Sequence, residues 1–137
     1  MSVERLAIII NPALPPGLIA NTAATIGVGL GALAPQLGAR QLTDVQGRSI
    51  HNSADRAVPI LQAEAATMRD VLMKALPPPD GGFLVAFPQF ARTIHSFSEY
   101  QSLFPQKDLA EELIEGIGLA GPDKWVRSLT GHLKLLR

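Results

Sequence analysis

The chain has no cysteine, and that absence removes disulfides, thiolate nucleophiles and thiolate metal sites together. It fits a cytoplasmic protein. Net charge is missing too: 12 Lys plus Arg balance 12 Asp plus Glu, so no overall field draws the molecule toward a polyphosphate or an anionic membrane. Nucleic acid is not the expected partner. No long hydrophobic run is present either. The most apolar stretch, "LIANTAATIGVGLGALA", is interrupted by Asn21, Thr22 and Thr25 and falls short of the roughly 20 apolar residues a membrane span needs. It is expected to be a buried helix of a protein with no membrane role, and "MSVERLAIII" is too short an apolar run for a secretory signal. His51, His95 and His132 are far apart, with no second ligand at metal spacing, so no metal and no cofactor is expected. "GVGLG" lacks the full dinucleotide-binding spacing, and there is no G-x-S-x-G elbow.

What is present has the size of one domain, spanning residues 1–137, without internal repeats or a linker. "RLAIII" (Arg5 to Ile10) is a continuous β-branched run ended by Asn-Pro and predicts a central strand covered on both faces. Leu18 to Ala34 repeats apolar residues at helical spacing. Its second stripe, Ala20, Ala24, Gly27 and Gly31, is small enough to let the helix lie close to a sheet or to another helix. "QLTDVQGRSIH" predicts a hairpin turning at Asp44 to Gly47. "AVPIL" predicts a short strand in which Pro59 suits a start or an edge better than a central position, and "QAEAATMRDVLMKAL" a helix with Ala65, Met68, Leu72 and Leu76 on its inner side. Phe83 to Phe87 and Ile117 to Ala120 predict two more buried strands. Pro122 then opens a helix that Gly131 ends from the left-handed position, and "HLKLL" forms an edge strand. Strands alternating with helices predict a three-layer α/β sandwich whose sheet is largely parallel.

Two loops are candidates for a site. "NPALPPG" joins a central strand to a helix N-terminus, where free N–H groups favour an anion or a carbonyl oxygen; the rival reading is a rigid proline turn. "FARTIH" places Arg92, Thr93 and His95 beyond the end of a strand, where ligands meet open α/β sheets; its rival is an ordinary connection. Glu111, Glu112 and Glu115 have helical spacing and are expected on a solvated face.

"GPDKWVRSLTGHLKLL" resembles the C-terminal segment of type II peptidyl-tRNA hydrolases. The whole chain is similar to an uncharacterised bacterial family grouped with those hydrolases by fold, through "NPALPPGLIANTAA", "VPIL" and "GLAGPDKWVRSLTGHLKLLR". The resemblance implies a small α/β domain with a mixed, mainly parallel four-stranded sheet and helices on both faces. The hydrolases carry a lysine in the first strand-to-helix loop, an aspartate and a threonine after a middle strand, and a second threonine on a later strand. Here those places fall at Leu18, at Gln89, at Thr93, and at Leu113 or Ile114. Leu18 and Gln89 supply neither a cation nor a general base, and ester hydrolysis calls for both kinds of help.

The leading expectation is therefore a hydrolase-like fold without the hydrolysis, binding a small polar ligand or a protein through Asn11, Gly17, Asn21, Gln89, Arg92 and Thr93. The rival is a hydrolase or transferase with a rearranged site in which Thr93, Arg92 and His95 are the catalytic candidates, with His132 as a further histidine. A third reading is a homodimer joined through the small-residue stripe or the "HLKLL" edge.

Overall fold

A computed structural model of the chain describes residues 3–137. Strand β1 (Arg5–Ile10) leads through a proline-rich turn into helix α1 (Pro16–Leu33), and a short 3-10 turn then gives way to the hairpin β2 (Gln41–Thr43) and β3 (Ser49–His51). Strand β4 (Ile60–Gln62) and helix α2 (Ala65–Ala75) follow, then strand β5 (Phe83–Pro88), a 3-10 turn over Gln89–Thr93, and helix α3 (Phe97–Leu103). The chain closes with β6 (Ile114–Gly121), α4 (Asp123–Thr130) and β7 (Lys134–Leu135).

The main sheet has five strands in the order β5-β6-β1-β4-β7. Only β1 and β4 run parallel; β1 with β6, β5 with β6, and β4 with β7 are antiparallel. The expected four-stranded, mainly parallel sheet is thus corrected on both counts. Continuous apolar runs mark burial on both faces, and helices cover both faces here whichever way a strand points. The fifth strand is the terminal "HLKLL" segment, where Leu136 N donates to Ile60 O at 2.9 Å.

The three layers are as expected. On one face Leu6, Ile8 and Ile10 meet Ile26 and Leu30 of α1. On the other, Ala7, Ile9, Ile117 and Leu119 meet Met68, Val71 and Leu72 of α2 and Val126 and Leu129 of α4. β6, an interior strand between β5 and β1, is buried along its whole length, whereas β5 is an edge strand and only half-buried until Pro88, not the fully buried strand expected.

The close approach of α1 to the sheet comes from the strand. A Cβ at Gly116 would lie 2.6 Å from Thr22 Cγ2 and 2.8 Å from Ile26 Cδ1. At Gly118 it would collide with Ile26 and come within 2.9 Å of Leu30 Cδ1. The small residues Ala20, Ala24 and Gly27 of the helix face outward, and α1 buries one narrow face, Thr22, Ile26 and Leu30. The helix expected to be buried is therefore half a surface helix. In α2 the inner side is Met68, Val71, Leu72 and Ala75, with Ala65 and Leu76 exposed. Gly131 ends α4 in a right-handed conformation at φ −61°, so the left-handed cap expected there is not used.

Candidate functional site

The carboxyl ends of β1 and β5 and the amino end of β6 meet at one end of the sheet. Asn11 N donates to Glu115 O at 3.1 Å, and Gln89 N donates to Leu113 O at 2.8 Å, which fixes both candidate loops against the start of β6. Pro88 closes β5, and the following 3-10 turn sends Arg92 back over the Phe87 ring, its Cζ 4.6 Å from the centroid. There the guanidinium meets Glu115. Arg92 Nε and Nη2 each approach Glu115 Oε1 at 2.8 Å, and Nη2 also donates to Thr22 Oγ1 at 2.8 Å. Nη1 reaches Asn21 Oδ1 at 3.5 Å, and Thr22 Oγ1 donates onward to Leu18 O at 2.6 Å.

Glu115 is only 4% exposed, so this carboxylate is stable in place because a cation and hydrogen bonds replace the water it has lost. It lies in β6, not on the solvated helical face expected for it. A signal for this was present: a lone carboxylate at the start of the apolar run "IEGIGLAG" requires a buried cation. Thr22 was likewise missed as a member of the cluster, because its helical position reads only as an interruption of an apolar run.

The other sequence candidates lie around this cluster without joining it. Thr93 is exposed and its hydroxyl donates to Phe90 O at 3.3 Å, inside its own turn. Gln89 and His95 are exposed, and Gly17 is exposed in the first turn of α1. Asn11 Oδ1 accepts from Ala13 N at 3.0 Å, closing a local turn in the proline-rich loop. Phe90 continues into an aromatic group with Tyr100 and Phe104, at centroid distances of 5.8 and 6.3 Å. Burial there pushes the Tyr100 hydroxyl above its ordinary pKa.

A second polar region lies where the adjacent parallel strands β1 and β4 end. Pro12, Gln62, Glu64, Thr67, His132 and Lys134 line a cleft of about 370 Å³. It adjoins another of about 300 Å³, into which Thr67 and His132 also face, together with Asp70, Lys74 and Ser128. Three rigid elements build it. Ala63 N donates to Ile10 O at 3.2 Å, fixing the start of α2 beside β1, while the β4–β7 pairing sets Lys134 opposite Gln62. The N-cap position of α2 is Glu64, whose side chain makes no capping bond. Among the described residues, no side-chain hydrogen bond or ion pair engages Glu64, His132 or Lys134. The basic residues near the terminus are divided: Arg127 Nη1 pairs with Asp123 at 3.4 Å, so they do not form one uncompensated face.

The fold is an α/β sandwich with a mixed five-stranded sheet, carrying a buried ion pair and two adjoining polar clefts at the same end. The chain belongs to the DUF2000 family, a protein family of unknown function, whose pattern matches residues 4–137. It is similar in structure to a protein of unknown function from Agrobacterium tumefaciens, with a TM-score of 0.85 at 15% identity and 96% of each chain covered. At that identity the likeness is one of fold. No curated protein matches the chain.

Proposed function

We propose that this chain is a cytoplasmic binding module of type II peptidyl-tRNA hydrolase-like fold that does not hydrolyse peptidyl-tRNA. It takes a small polar ligand, without a cofactor, in the cleft bounded by Pro12, Thr67, His132 and Lys134. The observation that carries this reading is the engagement of Arg92 by Glu115. Arg92, next in sequence to the place of the hydrolases' threonine, is already neutralised by a buried carboxylate, and Leu18 and Gln89 offer no replacement cation or base. Thr93, turned onto Phe90 O, has neither base nor cation beside it in the hydrogen-bond pattern, which weighs against a rearranged hydrolase or transferase site.

The ligand class follows from the walls of the open cleft. Glu64 and Lys134 line the same cleft, yet they are held on α2 and β7 without an ion pair between them among the described residues. Opposite charges kept apart in one concavity suit a molecule that carries both, such as a zwitterion of amino-acid size. His132 and Thr67 add hydrogen-bonding groups to its flank, and the free N–H groups at the start of α2 favour its carboxylate.

The test is a thermal-shift series with zwitterionic, anionic and cationic probes of similar size. A zwitterion at 100 times its dissociation constant stabilises the fold by about 2.7 kcal/mol. The shift is expected to disappear in Lys134→Ala and Glu64→Ala, both at exposed positions. A shift that survives both substitutions places the ligand elsewhere. Single-turnover release of tRNA from N-blocked aminoacyl-tRNA, lost on Thr93→Ala, would show that the enzyme reading is correct instead.

A further inference from the structure

The β2–β3 hairpin forms a sheet of its own, and every residue of its two strands is exposed. Leu42 is 54% exposed, Val45 94% and Ile50 66%. A two-stranded hairpin in water is marginally stable at best, so an ordered arm presenting three apolar side chains calls for a surface to lie on. Its own charges are satisfied within the arm and its base. Arg48 Nε pairs with Asp44 at 2.8 Å across the turn, and Asp55 pairs with Arg56 at 2.8 Å and Arg40 at 3.7 Å.

The same chain carries a shallow apolar depression beside this arm, floored by the buried Leu6, Ile8 and Leu37. Leu6, Ile8, Gly27, Gly31, Leu37 and Val58 line a depression of about 210 Å³ between α1 and the sheet. Ala54 borders both this groove and the recess under the hairpin, so the two surfaces are continuous. The wall supplied by α1 has no charged residue from Pro16 to Leu33, and beside it Val28 is 74% exposed.

The exposed area agrees with a missing contact. A compact monomer of this mass exposes about 6,900 Å² by the usual scaling. This chain exposes 8292 Å², an excess of roughly 1,400 Å², where a standard interface needs about 800 Å² from each partner.

We propose that the protein is a two-fold symmetric dimer in which the β2–β3 arm of each protomer lies across the α1 groove of the other. A second copy is the occupant because knob and groove belong to one chain, and a two-fold axis covers both at once. Neither surface carries unpaired charge that would select a partner of opposite sign.

The absence of cysteine makes the test direct. Sedimentation velocity across a hundredfold concentration range is expected to find the wild type as a dimer. Val45→Asp combined with Ile50→Asp should weaken self-association by roughly 30-fold or more, while the far-UV spectrum stays unchanged. In the double variant Val45→Cys/Gly31→Cys, oxidation should give a covalent dimer that neither single variant gives; Gly31 has open space where the new side chain begins. A wild type that is monomeric throughout, a dimer that survives the two aspartates, or a disulfide that closes only within one chain would overturn the proposal. So would a monomer that co-sediments with uncharged lipid vesicles through the same face.

Discussion

Arg92 and Thr93 are neighbours in sequence with opposite structural weight. Replacing Arg92 by Ala leaves the Glu115 carboxylate buried with no cation, and removing one partner of a buried pair costs about 3–5 kcal/mol. The Arg92 side chain keeps some solvent access, so the lower end of that range is the expected loss, read as a fall in the urea midpoint at unchanged slope. Arg92→Lys should recover only part of it, because one ammonium cannot reproduce the fork that spans Glu115 Oε1 and Thr22 Oγ1. Thr93→Ala, by contrast, loses one long hydrogen bond at an exposed position and should change stability by less than about 0.5 kcal/mol. If the two substitutions prove equally costly, Arg92 is not a clamp. The cluster also shows why part of the candidate site was readable in advance. Arg92 was singled out by its loop and Asn21 by its place early in the helix, but Glu115 lies 23 positions beyond Arg92, in β6. Its pairing is a consequence of sheet order, which no local pattern records.

At the scale of elements, α1 and β6 fit because the strand gives way. Gly118→Ala places a methyl group against Ile26 and Leu30, both buried, and overpacking of this kind costs roughly 1–3 kcal/mol even though Ala is otherwise the better strand residue. Gly27→Ala, on the outward side of the same helix, meets nothing within 4 Å and should stabilise the helix by up to about 1 kcal/mol. Thermal unfolding of the two variants gives opposite signs if the packing is as described. The small stripe on α1 had been the natural place to expect close approach, and it faces outward instead. Element identity was legible because buried strands and helices differ in period, and because Pro12, Pro59 and Pro88 bound their strands. Strand direction was not. β6 follows β5 by way of α3 and returns antiparallel beside it, yet its residues are as apolar as those of a parallel strand, since helices cover both faces. The Gly131 cap failed for a similar reason: the short connection to β7 needs no left-handed residue, and glycine permits that conformation without requiring it.

For the whole molecule, the surface carboxylates set the response to acid. The Arg5 side chain beside Asp123, helped by Arg127, holds the Asp123 carboxyl below its ordinary range, and this contact ties the start of β1 to the start of α4. Hydrogen bonding to Arg56 does the same for Asp55, and the Arg48 backbone N–H does so for Asp44. In each case the folded state prefers the charged carboxylate more than the unfolded chain does, whose carboxyl titrates near 3.9. The stability these groups contribute is therefore complete above that value. It declines as pH falls through the lowered folded values, because below them both states carry the proton. The urea midpoint should accordingly stay nearly level as far as these groups are concerned from neutrality down to about pH 5 and drop below about pH 4. Asp123→Asn removes one contributor, so its curve should start lower at neutral pH and fall less steeply in acid. Since these carboxylates are solvent-accessible, added salt should narrow the gap between variant and wild type. A gap that is indifferent to salt, or that widens as the pH is lowered, would mean that Asp123 does not act through its charge.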